Sequence, residues 1–206
     1  MTLLSLLDMI GTFAFALTGA LVAVRKEMDL YGILLLSFVT AIGGGTTRDL
    51  LLGNTPVFFL NQPSYFYISL LAGFCTFLFH KELFKINSII LILDALGLGL
   101  FVCVGVSIAL SAHISFTGAV ILGVVTGTVG GIIRDLLAGE IPTVLVKDFY
   151  ALICVVGGIL YVYLHHLNVP HDITLLVSAS VIFFLRLAAI KLKWNFVKAS
   201  RSSLLQ

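Results

Sequence analysis

Two stretches of this chain each place an arginine next to an aspartate, just behind a pair of glycines. Residues 43–51 read GGGTTRDLL, and residues 127–137 read GTVGGIIRDLL, so Arg48 and Arg134 are 86 residues apart. Both stretches lie in apolar sequence, where a charged side chain is costly unless it faces the protein interior or a water-filled path. The duplicated motif is therefore a candidate functional site, and it also constrains the fold.

The apolar sequence around the motifs excludes a soluble domain. Hydrophobic residues make up 60% of the chain and charged residues 11%, with a mean hydropathy of +1.15. Apolar runs of about 20 residues can cross a hydrocarbon core of roughly 30 Å. Seven such runs are predicted, at residues 3–24, 30–52, 65–79, 86–110, 116–137, 146–164 and 173–192. The sequence predicts an all-α membrane protein with seven transmembrane helices in one domain, residues 1–206. The net charge of +2 indicates no nucleic-acid partner.

The 86-residue offset extends beyond the two motifs without a gap. Further matched pairs are Asp8 with Asp94, Gly53 with Gly139, and Pro56 with Pro142. Three predicted spans separate equivalent points, so the second copy would enter the membrane from the opposite side. This predicts a 3+3 inverted-topology repeat, residues 1–85 and 86–171, followed by a seventh helix and tail at residues 172–206. In such proteins the transport path lies between the two repeats.

Basic residues near and beyond the span ends predict the orientation. They all fall in the first, third and fifth loops or the C-terminal tail: Arg25, Lys26, Lys81, Lys85, Lys147, Lys191, Lys193, Lys198 and Arg201. Cytoplasmic segments are enriched in lysine and arginine. The C-terminus is therefore predicted in the cytoplasm and the N-terminus outside, with Trp194 as an interfacial anchor on the cytoplasmic side.

Glycines in the second and fifth predicted helices are candidates for a pore or hinge. Consecutive glycines weaken a helix and permit a kink, and the carbonyls that they free can replace part of the hydration shell of a cation. The candidate positions are Gly43, Gly44, Gly45, Gly130 and Gly131, with the hydroxyls of Thr46, Thr47, Thr126 and Thr128 nearby. The alternative is that small residues only let two helices approach closely. Repetition beside charged residues favours the pore.

Depth along the helices suggests partners for the buried charges. At 1.5 Å per residue, Asp8 lies level with Arg48 near the outer face, and Asp94 lies level with Arg134 near the cytoplasmic face. The repeat therefore predicts two symmetric ion pairs.

The aspartates of the Arg-Asp motifs are predicted to be free of their neighbours. Adjacent side chains on a helix project about 100° apart, so Asp49 and Asp135 are poor partners for the arginines before them. They would then face an aqueous path and attract cations. In the purely structural alternative, all the buried charges only hold helices together.

Other polar residues indicate neither catalysis nor a metal site. The histidines and cysteines form no ligand set, and no nucleophile stands beside a base, so we expect neither an enzyme nor a cofactor. Arg186 is predicted to snorkel to the interface, with a subunit contact as the alternative. The cationic tail also indicates contact with anionic membrane lipids.

The duplicated Gly-Gly-x-x-Arg-Asp motif, the matched Asp8 and Asp94 and the three-plus-three-plus-one layout resemble the trimeric intracellular cation channel family. The chain looks like a prokaryotic member, and the resemblance covers its whole length. It implies a homotrimer with a pore in each protomer, lined by kinked helices two and five and permeable to potassium and other monovalent cations. Val129 stands where the first copy has Gly43, so the second hinge would be stiffer. The short loops suggest a prokaryotic plasma membrane.

Two classes of function stay open on the sequence. Bacterial relatives of this domain are also labelled glycine transporters, and a secondary carrier would use an inverted repeat for alternating access. A carboxylate ligand would favour exposed helix N-termini or arginine, whereas a bare cation would favour carbonyls, hydroxyls and aspartate, and the chain offers both sets. We prefer the potassium channel, with a transporter of a small amino acid such as glycine as the alternative.

Overall fold

The computed structural model describes residues 2–85, 88–146 and 149–192, and the secondary structure in these ranges is helical. The helices are α1 (Leu3–Arg25), α2 (Leu30–Leu52), α3 (Phe58–Asn61), α4 (Ser64–Leu83), α5 (Ile89–Ser111), α6 (Phe116–Leu137), α7 (Thr143–Val146), α8 (Phe149–His166) and α9 (His171–Lys191). The predicted helices two and five are α2 and α6. Ile86, Lys147, the anchor Trp194 and the tail residues Lys193, Lys198 and Arg201 lie outside the described residues.

Six helices in the described ranges are long and apolar enough to cross a membrane, and the chain is a multi-pass membrane protein. The other long helix is α4, which contains the shortest of the predicted spans. That α4 also crosses the membrane, as the third of seven spans, therefore remains a prediction. The short helices α3 and α7 were not predicted, and each follows one of the matched proline turns.

Local sequence explains where α2 and α6 begin and end. Asp29 caps α2 by accepting a hydrogen bond from the Gly32 amide at 2.8 Å, and Ser115 caps α6 in the same way. Gly53 and Gly139 end the two helices with φ values of 72° and 70°, a left-handed conformation that glycine adopts without penalty. Each chain segment therefore leaves its helix in a tight turn that leads to a short helix.

The centre of the bundle consists of α1, α2, α5 and α6. The most extensive contacts join α5 to α6, α1 to α2, and α2 to α6. Phe15 of α1 and Phe101 of α5 meet edge to face in this centre, with ring centroids 5.1 Å apart. Around it, α4 packs on α1 and α2, whereas α8 and α9 pack on each other and on α5. The candidate residues all lie on or beside these central helices.

Candidate functional site

The crossing of α2 and α6 brings two backbones into direct contact. A Cβ atom at Gly44 would overlap the carbonyl oxygen of Thr126, and a Cβ atom at Gly130 would overlap the carbonyl oxygen of Thr40. These contacts are reciprocal, because both glycines and both threonines are related by the 86-residue offset. The hydroxyls of Thr40 and Thr126 each donate to the carbonyl four residues earlier, at 2.6 Å. Only glycine at these two positions permits so close an approach.

Both helices continue through their glycines without interruption, which differs from the predicted broken helices. Close packing against the partner helix supports an intact helix here, as in other small-residue contacts in membranes. Most of the nearby hydroxyls also bond within their own helix: Thr47 donates to Gly43 at 2.9 Å and Thr128 donates to Val124 at 2.7 Å. In the described part of the chain, the buried Thr46 hydroxyl has no hydrogen-bond partner.

A first charge cluster lies at the end of α2. The Nε and Nη2 atoms of Arg48 donate to Oδ1 of Asp49 at 2.9 and 2.8 Å. The other oxygen of Asp49 accepts the backbone N–H of Phe58, the first residue of α3, at 2.8 Å. Asp8 instead accepts a hydrogen bond from the hydroxyl of Tyr65 at 2.6 Å. Asp8 and Arg48 face the same cavity of about 10 Å³, which is roughly the space of one water molecule.

A second charge cluster lies at the end of α6. Arg134 donates through Nε to Asp135 at 2.9 Å, and through Nη1 to Asp94 at 3.0 Å and to the hydroxyl of Thr18 at 2.9 Å. The second oxygen of Asp135 accepts the backbone N–H of Thr143, the first residue of α7, at 2.7 Å. Arg134 thus joins three helices, whereas the arginine of the first cluster bonds mainly to its neighbour.

The two predicted ion pairs have different outcomes. The pair between Asp94 and Arg134 is confirmed. The pair between Asp8 and Arg48 is wrong, because in the described residues the carboxylate of Asp8 bonds to a tyrosine hydroxyl and makes no ion pair. Tyr65 occupies the position from which it reaches Asp8 because α4 begins directly beside the end of α2.

The prediction that Asp49 and Asp135 are free of the preceding arginines is also wrong. Both carboxylates accept hydrogen bonds from those arginines and are only 4% and 3% exposed. The divergence of about 100° applies to the Cβ directions. An arginine side chain is long enough to turn back over this angle, and the short aspartate does not need to move.

Arg186 of α9 belongs beside the second cluster. Its guanidinium carbon lies 4.3 Å from the ring centroid of Tyr150, in cation–π geometry, and the residue is 4% exposed. The predicted snorkelling is therefore wrong for this side chain. Nε of Arg186 and Oδ2 of Asp94 are buried and have no hydrogen-bond partner among the described residues.

Sequence reasoning missed Tyr65, Tyr150 and Thr18. The two tyrosines had a usable signal, because each stands near the start of the helix that follows a matched proline turn. Thr18 had none, because its equivalent at the 86-residue offset is Val104. The described residues contain no group of histidine, cysteine and acidic side chains that could hold a metal ion.

Together, the apolar bundle and its buried arginine–carboxylate clusters define a multi-pass membrane protein with charged groups inside a largely apolar interior. The chain belongs to the glycine transporter family, whose profile matches residues 5–81 and 91–166. It is 39% identical over 187 residues to the UPF0126 inner membrane protein YadS of Escherichia coli, an alignment that covers 90% of each chain.

Solved structures of cation channels share the fold of this chain. The TRIC trimeric intracellular cation channel orthologue from Rhodobacter sphaeroides superposes with a TM-score of 0.90 at 40% identity, over 94% of this chain and 100% of that one. A second structure, described as the basis for conductance through TRIC cation channels, superposes with a TM-score of 0.88 at 39% identity, over 97% of this chain and 98% of that one. These structural relatives are ion channels and not enzymes.

Proposed function

We propose that this protein is a cation channel that conducts potassium and other monovalent cations through a pore within each protomer, lined by α2 and α6. The observation that carries the proposal is the crossing of these two helices, which has a buried cluster of carboxylates and arginine near the end of each helix. The solved relatives at about 40% identity are named as cation channels, which supports the same activity here.

The pore lining is part of the proposal. The cavity beside Asp8 also contacts Gly45 of α2 and Thr126 of α6, so it marks a polar gap next to the crossing. We infer that the path widens at this gap, with the glycines at 43–45 and 130–131 acting as hinges and the hydroxyls of Thr46, Thr47 and Thr128 beside it. The unpartnered Thr46 hydroxyl is available to a water molecule or an ion.

The inverted repeat and the topology belong to the same proposal. The reciprocal glycine–threonine contacts support two equivalent halves at residues 1–85 and 86–171, with residues 172–206 added to the second. In this arrangement α4 is the third of seven spans, the N-terminus is outside and the C-terminus is cytoplasmic. A homotrimer in the prokaryotic plasma membrane, in contact with its lipids, is supported by the trimeric name of one solved relative and by the inner-membrane name of another relative.

A second candidate function is a secondary transporter of a small amino acid such as glycine. The description of the matched family favours it. A substrate carboxylate would favour an exposed helix N-terminus or an arginine, and both motif arginines are already bound to aspartates in this conformation. A carrier that used one of these two arginines would have to break its pair in order to bind the substrate.

Planar-bilayer recording of the purified protein tests the proposal. Under a potassium gradient we expect discrete current steps that reverse near the potassium equilibrium potential. Asp8→Asn removes the carboxylate charge at the cavity and should lower the unitary conductance, whereas Glu82→Gln changes an exposed acid and serves as the control. A silent bilayer together with saturable glycine uptake into matched liposomes would replace the channel with the carrier.

A further inference from the structure

The two clusters differ in net charge although their motifs are duplicated. Among the described residues, the first cluster has the carboxylates of Asp8 and Asp49 and the guanidinium of Arg48, which gives a formal charge of −1 when both carboxylates are ionised. The second cluster has two equivalent carboxylates and Arg134, and it would have the same charge by itself. Arg186 supplies the additional positive charge, so that the second cluster is formally neutral.

Tyr150 connects Arg186 to the second cluster. The face of its ring contacts the guanidinium of Arg186. A Cβ atom placed on Gly131 would lie 3.7 Å from the hydroxyl of Tyr150 and 3.6 Å from Nη2 of Arg134. The hydroxyl end of Tyr150 and the guanidinium of Arg134 therefore border the same small space. Asp94 and Arg186 also each keep one buried, unpartnered polar atom at this end. The added charge is therefore buried with the cluster and is not an interfacial lysine or arginine.

The origin of Arg186 makes this asymmetry a property of the fold. It lies on α9, which follows both matched segments of the chain and has no equivalent in the first half. The exposed charges near this end include Glu140, which pairs with Arg25 and Lys26 at the surface. Exposed pairs of this kind are largely screened by salt, whereas buried charges are screened much less.

We propose that Arg186 makes the channel rectify, by cancelling one negative charge at the Asp94 end of the path while the Asp8 end stays negative. The inference rests on the proposed function, because it needs cations to pass both clusters. A unit negative charge about 10 Å away through water raises the local cation concentration roughly twofold. In symmetric potassium chloride at about 0.1 M, screening over this distance lowers the factor to about 1.3, so cations entering from the Asp8 end should carry about 1.3 times the current of those entering from the other end.

The test is the current–voltage relation of single channels in symmetric potassium chloride at about 0.1 M, where the screening length is about 10 Å. The orientation of each channel is determined with a C-terminal tag, by adding a reagent that binds the tag and blocks the current to one side of the bilayer. Arg186→Gln makes both clusters negative, and Asp8→Asn makes both neutral, so either change should abolish rectification. The double variant should reverse the direction of rectification, and Arg186→Lys should preserve the wild-type direction. Lys191→Gln changes an exposed charge on the same helix and should rectify like the wild type.

The outcomes separate this inference from the proposed function. Wild-type protein that passes no current, but takes up glycine in liposomes, overturns the channel and the rectification with it. A conducting channel whose rectification is unchanged by Arg186→Gln overturns the inference and leaves the channel intact. If Arg186→Gln fails to fold, Asp8→Asn tests the inference instead. Rectification that is unchanged in Asp8→Asn would also overturn it. A purely structural Arg186 would lower thermal stability without changing the shape of the current–voltage relation.

Discussion

Replacing Gly44 by alanine tests whether the α2–α6 crossing depends on bare backbone contact. The added methyl group would overlap the carbonyl oxygen of Thr126. A backbone carbonyl cannot rotate away as a side chain can, so the helices must separate. Ordinary carbon–oxygen contacts begin at about 3.3 Å, which requires a separation of roughly one and a half ångströms at the crossing.

The expected cost follows from overpacking in a close-packed interior, which is typically 1–3 kcal/mol and larger where the backbone must move. We expect Gly44→Ala to destabilise the protein by about 3 kcal/mol. For a chain of this size, that corresponds to a melting temperature roughly 6–12 °C lower. Gly130→Ala meets the carbonyl of Thr40 in the same way and should have a similar effect.

Gly131 provides a matched control one residue further along α6. A Cβ atom there would lie 3.6 Å or more from its neighbours, in ordinary van der Waals contact. Gly131→Ala should therefore be neutral, or more stable by up to about 1 kcal/mol through helix propensity. The assay is thermal unfolding of the detergent-purified variants. Equal melting temperatures for Gly44→Ala and Gly131→Ala would refute the packing argument. A stable Gly131→Ala variant with reduced current would instead support a hinge at this glycine.

Three further experiments distinguish the contacts in the clusters from those at the surface. Asp94→Ala leaves Arg134 without one of its buried partners and should cost about 3 kcal/mol in unfolding free energy. A double-mutant cycle of Asp8→Asn and Tyr65→Phe should show a coupling of about 1.5 kcal/mol, and additive effects would contradict the hydrogen bond. Glu140→Gln should change stability by less than about 1 kcal/mol, since its pairs with the end of α1 are exposed, and a larger loss would contradict their assignment as surface pairs.

The sequence predicted the long helices well because each is a long apolar run between turn residues. The predicted spans at 30–52 and 116–137 match α2 and α6 at both ends. Helix α4, which contains the third predicted span, extends further than that prediction, to Leu83, because the polar residues of its last turn remain helical. The span predicted from residue 146 is divided, since Val146 belongs to α7 and the long helix begins at Phe149.

The candidate site was predicted only where depth along the helix decides the contact. Asp94 and Arg134 lie at one level on adjacent helices, and they pair. At the equivalent level of the first half, Asp8 bonds to Tyr65, whose presence there depends on how α4 packs. Arg186 was misplaced for the same reason, because the hydropathy of one helix does not show which neighbour its charged face meets. Tertiary packing, not local pattern, determined these partners.

The backbone N–H groups of the first residues of α3 and α7 donate to Asp49 and Asp135, which connects the buried charges to these two short helices. Each carboxylate accepts hydrogen bonds from its arginine with one oxygen, and from the backbone of the short helix with the other. An antibody fragment or small molecule that displaced either short helix would therefore break this backbone hydrogen bond and disturb the ion pair in the interior. Under the proposed function, a ligand that binds either short helix from solution would act on the conduction path without entering it.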